Sequence, residues 1–172
     1  VDRNCHKSIE QGLMLTGAKP VYMVPSRNRY GIIGPIYPQE MQPETLQKKI
    51  SESPLTKDKA GQKPSYCVVT NCTYDGVCYN AKEAQDLLEK TSDRLHFDEA
   101  WYGYARFNPI YADHYAMRGE PGDHNGPTVF ATHSTHKLLN ALSQASYIHV
   151  REGRGAINFS RFNQAYMMHA TT

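Results

Sequence analysis

Thr128-Val129-Phe130-Ala131-Thr132-His133-Ser134-Thr135-His136-Lys137-Leu138-Leu139 runs from a β-branched and aromatic segment into a turn of hydroxyls and imidazoles that closes on a lysine. The first five residues read as a strand, and that strand delivers Lys137 to its end. A lysine at the mouth of an apolar run (Leu138, Leu139, Ala141, Leu142) can be held where desolvation makes its amine nucleophilic at neutral pH. Schiff-base chemistry is therefore the first hypothesis. The same window also fits an exposed first-turn residue of a helix, the commoner fate of lysine, so the choice rests on the rest of the chain.

Working outward, Tyr66-Cys67-Val68-Val69-Thr70 is a short apolar run of the fully buried strand type. Leu95-His96-Phe97 is another strand, ending at Asp98, and Tyr147-Ile148-His149-Val150 a fourth. Helices are expected over Ala81 to Thr91, with Ala84, Leu87 and Leu88 on one face, and over Phe159 to His169, with a short helix or turn from Leu138 to Ser146. Toward the start, Cys5-His6-Lys7-Ser8 leads into a helix through Ile9, Leu13 and Leu15 that ends at Gly17. Val21 to Val24 reads as a strand between Pro20 and Pro25, and Pro43 to Ile50 as a helix with proline in its first turn. A polar connection covers Ser51 to Pro64, and a long aromatic loop runs from Trp101 to Tyr115. Strands alternating with helices predict an α/β fold, a mostly parallel, doubly wound sheet with flanking helices. Ligands of such sheets sit beyond the carboxyl ends of the strands. Asp98 and Lys137 both fall just after such ends and can converge there.

The chain has 172 residues, 40% hydrophobic and 21% charged, which suits one globular domain. Its net charge is +2, with positive residues interleaved among Asp and Glu, so no basic run reads as a nucleic-acid footprint. The apolar runs are far shorter than a membrane-spanning helix. Cys5, Cys67, Cys72 and Cys78 match neither a paired zinc motif nor a dense disulfide framework, so reduced, mostly buried thiols and a cytoplasmic setting are expected.

Asp98-Glu99-Ala100-Trp101 is the second informative element. An aspartate at a strand end can hold a heteroaromatic ring nitrogen protonated, small Ala100 lets a ring approach the backbone, and the Trp101 indole N–H can donate to a ring oxygen. Asp98 by itself also fits a plain loop cap. Taken together with Asn4-Cys5-His6-Lys7-Ser8, Ser134-Thr135-His136-Lys137, Ala141-Leu142-Ser143-Gln144-Ala145-Ser146 and Met167-Met168-His169-Ala170-Thr171-Thr172, the pattern resembles the pyridoxal-phosphate enzymes of the aspartate-aminotransferase fold. More closely, it resembles the bacterial ornithine/lysine/arginine decarboxylase family. The stretch from Tyr147 to Met168, with Arg151-Glu152-Gly153-Arg154 and Ser160-Arg161-Phe162-Asn163, is most similar to the biodegradative, acid-induced arginine decarboxylases.

The resemblance implies pyridoxal 5'-phosphate as cofactor and a basic amino acid as substrate: arginine converted to agmatine and CO2 in acid resistance, with lysine or ornithine as the alternative. It implies that Lys137 is the Schiff-base lysine and a mover of protons, that Asp98 pairs with the pyridinium nitrogen, and that His6 stacks on the cofactor face opposite Ala100. Trp101 would donate to the ring oxygen, Ser134 and His136 would hold the phosphate, and Thr171 would reach the neighbouring subunit's site. A homodimer would then be the active unit, within a larger homo-oligomer that family resemblance makes a decamer. The chain reads as a fragment of one cofactor-binding large domain, its phosphate loop upstream of Val1 and its small domain beyond Thr172, so that this segment alone neither closes a site nor turns over.

Two rivals come from other classes. A metal hydrolase would use His133 and His136 with His114 and His124, but no acidic residue stands at helical ligand spacing beside that pair, Lys137 would crowd a cation, and no metal is expected. A non-catalytic paralogue would have lost Lys137 or Asp98, and this chain has both.

Overall fold

The computed structural model describes residues 1–170. Its centre is a four-stranded sheet of β1 (Cys67–Thr70), β2 (Arg94–Asp98), β3 (Thr128–His133) and β4 (Tyr147–Arg151), in that order across the sheet. The first three strands are parallel and β4 is antiparallel to β3. Every residue of β1 is buried, as its unbroken apolar run requires. Register sets Thr70 beside Asp98 and Asp98 beside Thr132, so three strands end together on one edge.

Between β1 and β2 lies α3 (Ala81–Leu88), capped by the Asn80 side chain, which accepts from Glu83 N, and burying Ala81, Ala84, Gln85 and Leu88. It stops short of the expected Thr91 because Thr91 N and Ser92 N both turn to Leu88 O, at 2.9 Å each, a tightened final turn. Side chains of Met23, Leu46, Val69, Leu88, Leu95, Phe97 and Val129 form the core. Leu46 and Ile50 come from α2 (Pro43–Glu52), which starts on Pro43 as expected. In α5 (Phe159–His169), capped by Asn158, Phe162 meets Phe130 at 6.2 Å between ring centroids.

The amino-terminal segment is tied to the sheet. Asp2 N donates to Val68 O at 2.9 Å, and the buried Asp2 carboxylate accepts from Thr70 N at 3.1 Å and Asn4 N at 2.7 Å. Burial raises the Asp2 carboxyl above its usual range despite those bonds. The tie brings His6, the cap of α1 (Lys7–Thr16), to the edge where the strands end. That helix closes at Gly17, whose φ of 65° is the left-handed cap that glycine accepts readily.

The structure departs from the sequence expectation in four places. Val21 to Val24 is an extended segment with a single bridge, Asp2 to Met23, because the flanking prolines cannot extend a ladder. The helix expected within Leu138 to Ser146 lies earlier, as α4 (Thr135–Leu138), and contains Lys137. Among the described residues the strand order follows the chain with no reversal, so the sheet is mostly parallel with no doubly wound switch point among these strands, and β4 returns antiparallel to β3. The four cysteines are free, but only Cys67 and Cys72 are buried. Among the described residues, no helix is long and apolar enough to cross a membrane.

Candidate active site

A cleft of about 530 Å³ opens at the carboxyl edge of β1, β2 and β3, with His6, Asp98, Ala100, Trp101, Ser134 and Lys137 on its wall. Six of the eight residues singled out in the sequence therefore meet in one place. Thr171 lies outside the described residues. His136 does not meet them: its ring is exposed and its Nδ1 donates to Ala145 O at 2.8 Å, because on the short α4 it points away from its neighbour Lys137.

Asp98 is buried at the end of β2. Its Oδ1 accepts from Ala100 N at 3.1 Å and from the Thr132 hydroxyl at 3.5 Å. The first contact is the plain loop cap; it does not exclude a ligand role, since both bonds fall on Oδ1 and Oδ2 remains available to the cleft. Thr132 also meets His96 Nε2 at 3.1 Å. A hydroxyl that donates to Asp98 can accept only from a ring N–H, which places the His96 proton on Nε2. Burial pushes the His96 imidazole below its ordinary value, so it stays neutral at neutral pH.

Lys137 is half-buried on the cleft wall, not the fully exposed helix residue of the alternative reading. Its Nζ lies 4.4 Å from the centre of the Trp101 ring, a cation–π contact, and Tyr74 meets the same ring edge-on at 5.5 Å. Ser134 N donates to Ala100 O at 3.3 Å, joining the turn after β3 to the turn after β2. The Ser134 side chain makes no cap bond to α4 and lines the cleft. His6 Nδ1 accepts from Ser8 N at 3.3 Å, which fixes the ring at the cap of α1 on the cleft wall.

Sequence reasoning missed the layer behind this wall. Glu99 is fully buried; its Oε1 accepts from Asn71 Nδ2 at 2.6 Å and Ala116 N at 2.7 Å, and its Oε2 meets His133 Nε2 at 2.9 Å. Successive side chains on a strand point to opposite faces, and that alternation was the available signal: it turns Glu99 inward if Asp98 faces the cleft, and sets His96 on the face of Asp98. Three of the four histidines weighed for a metal have separate protein partners, His133 on Glu99, His136 on Ala145 O and His124 on Pro127 O.

The profile described as Orn/Lys/Arg decarboxylase, major domain, matches residues 1–172. The chain belongs to the Orn/Lys/Arg decarboxylase family. It is 50% identical over 173 residues to lysine decarboxylase LdcA of Pseudomonas aeruginosa, covering 100% of this chain and 23% of that protein. The solved structure of lysine decarboxylase A from Pseudomonas aeruginosa superposes with a TM-score of 0.87 over 99% of this chain and 23% of that one, at 50% identity. The inducible lysine decarboxylase of Escherichia coli K12 is 45% identical, with 100% of this chain and 22% of that protein covered. The constitutive ornithine decarboxylase of the same organism is 37% identical, covering 99% and 25%. The chain thus spans about a quarter of the length of these curated relatives. They do not support the expected likeness to arginine decarboxylase; lysine, the alternative, fits them better.

Members of this family depend on pyridoxal 5'-phosphate. The residues present fit that group: a buried carboxylate with one oxygen turned to the cleft, a small residue beside it, an indole, a free serine hydroxyl and a primary amine share a space large enough for a flat ring.

Proposed function

We propose that this chain forms part of the cofactor-binding large domain of a lysine decarboxylase, a cytoplasmic enzyme that releases CO2 from lysine to give cadaverine. The observation that carries the reading is the meeting of Lys137, Asp98, Ala100, Trp101 and His6 in one cleft. The family match supports the reaction class, and the 50% and 45% identities to lysine decarboxylases support the substrate.

Pyridoxal 5'-phosphate, when bound, supplies the electron sink for the carbanion left as CO2 departs. Each residue's part follows from its own chemistry. Asp98 Oδ2 is an acceptor for a protonated ring nitrogen, and the Thr132 hydroxyl and Ala100 N–H on Oδ1 keep it oriented. Ala100 lets a flat ring lie against the backbone, and the Trp101 indole N–H is a donor within the same wall. Lys137 Nζ is the primary amine that would hold the cofactor, and as a free amine it would carry a proton within the cleft. His6 offers an imidazole face from the cap of α1, and Ser134 a hydroxyl for a phosphate oxygen. His136 would reach that phosphate only by giving up its bond to Ala145 O. A homodimer as the active unit, inside a larger homo-oligomer, belongs to the same proposal and rests on the resemblance around Thr171.

The test uses the full-length protein loaded with cofactor and given lysine, ornithine or arginine separately, with the amine identified by mass. Cadaverine is expected, together with a yellow chromophore that Lys137→Ala abolishes. Agmatine or putrescine as the preferred product would overturn the substrate. Activity lost to chelators and restored by zinc would overturn the chemistry.

A further inference from the structure

Cys72 and Cys78 face each other across an antiparallel bridge in the link between β1 and α3. Thr73 N donates to Val77 O at 3.0 Å and Tyr79 N to Asn71 O at 3.3 Å on either side of them. The cysteines are therefore a non-hydrogen-bonded pair, the arrangement that brings opposed side chains closest, with Cα atoms about 4.5 Å apart. A disulfide accepts Cα separations from about 4.4 to 6.8 Å. The Cys78 thiol donates to the Cys72 sulfur at 3.5 Å, and closing to a bond length of about 2.05 Å needs a shift of roughly 1.5 Å, within reach of rotation about the two Cα–Cβ bonds.

The two thiols differ in setting. Cys78 is exposed, whereas Cys72 is buried among Tyr102, Ala105 and the aromatic loop and also lines the active cleft. Between them, Thr73 and Gly76 close a turn through Gly76 N to Thr73 O at 3.0 Å. The tip of this hairpin carries Tyr74, which packs on Trp101.

We propose that Cys72 and Cys78 are a reversible oxidation site, which a peroxide closes to a disulfide across the hairpin at the rim of the active cleft. The exposed Cys78 thiolate attacks one peroxide oxygen; the O–O bond breaks, hydroxide leaves and Cys78 becomes a sulfenic acid. The Cys72 sulfur then attacks the Cys78 sulfur, the S–O bond breaks, and water leaves with the Cys72 proton. Two thiols lose two electrons and one peroxide becomes two waters. Burial, with the neighbouring Cys78, pushes the Cys72 thiol up to about 12, so the second step speeds up as pH rises. The bond pins the hairpin that holds Tyr74 to Trp101, the single tryptophan of the chain, and tryptophan emission reports it directly.

The experiment uses the purified full-length protein as isolated and measures no amine product, so its outcome is independent of the proposed decarboxylation. Hydrogen peroxide is added at two pH values, and intact mass, free-thiol count and Trp101 emission are followed. The expected result is loss of two hydrogen atoms, loss of two free thiols per chain with the new disulfide mapped to Cys72 and Cys78, and a parallel change in emission. All three should proceed faster at the higher pH and reverse with dithiothreitol. Cys78→Ala, at an exposed position, should block all three, and Cys5→Ser/Cys67→Ser should leave them intact. Oxidation that ends with added oxygens on Cys78, a disulfide mapped to Cys5 or Cys67, or a disulfide that leaves Trp101 emission unmoved would overturn the proposal.

Discussion

Replacing Glu99 should separate hydrogen-bond geometry from simple space filling at the back of the site. Glu99 is fully buried, so Glu99→Ala removes an acceptor that water cannot replace at once. The Ala116 N–H, on a residue with no exposure, loses its bond of 2.7 Å. Asn71 Nδ2 keeps His114 O at 2.8 Å, and the His133 side chain, 15% exposed, can turn toward solvent. One orphaned donor costs about 1–3 kcal/mol, and adding the broken pair with His133 and the void left behind brings the total to about 3–5 kcal/mol. For a chain of this size each kcal/mol is about 2–4 °C, so Glu99→Ala should lower the melting midpoint by about 6–20 °C. Glu99→Gln keeps an acceptor for Ala116 and Asn71, and its amide can donate to His133 Nε2 once that ring carries its proton on Nδ1; a cost of about 1–2 kcal/mol is expected. Urea unfolding followed by Trp101 emission measures both. An alanine variant within about 1 kcal/mol of the parent would refute the assignment of Glu99 as the brace of the three strand ends.

Two further outcomes concern stability. Because burial depresses His96 in the folded state, the unfolded chain takes up its proton first as pH drops. The associated stability is present above about pH 6.5 and declines below it, by up to about 1.4 kcal/mol per pH unit, until the folded-state value is reached. His149 shifts the same way but is exposed, where solvent screens it, so His96→Asn should remove most of this slope in urea titrations between pH 7 and pH 5. A Cβ at Gly153 would stand 2.3 Å from Gly126 O and 2.8 Å from the Pro127 carbonyl carbon, both backbone. Gly153→Ala should therefore cost about 1–3 kcal/mol, whereas Gly12→Ala, inside α1 with open space around it, should gain about 0.5–1 kcal/mol; equal midpoints would contradict both.

Elements whose signals are local were legible from the sequence. An unbroken apolar run gave β1, the apolar face of Ala84, Leu87 and Leu88 gave α3, and a glycine the end of α1. Asp98 and Lys137 were legible as a pair because strand ends in a parallel sheet share an edge, a rule that needs no contact information. Features set by a partner distant in sequence were not legible. Met23 pairs with Asp2 rather than with a strand, His136 turns to Ala145, and the Glu99 carboxylate finds Asn71 and Ala116.

The substrate illustrates the same limit. Arginine was suggested by the stretch from Tyr147 to Met168; Tyr147, Ile148 and Tyr166 of it line the cleft, whereas its two quoted motifs, Arg151-Glu152-Gly153-Arg154 and Ser160-Arg161-Phe162-Asn163, do not. Arg151 pairs in register with Val129 near the start of β3, at the edge opposite the site. Gly153 fits where only hydrogen can face Gly126 and Pro127. Arg154 donates to Asn125 O at 3.1 Å and forms ion pairs with Glu89 at 3.7 Å and Asp93 at 3.5 Å, stitching the end of β4 to the link that follows α3. Phe162 packs on Phe130. Gly153, Arg154 and Phe162 are thus explained by packing and charge pairing away from the site, and they say nothing of what the cleft accepts. A specificity argument for this chain therefore rests on the wall around Asp98 and Lys137, and competition among lysine, ornithine and arginine reads out what that wall selects.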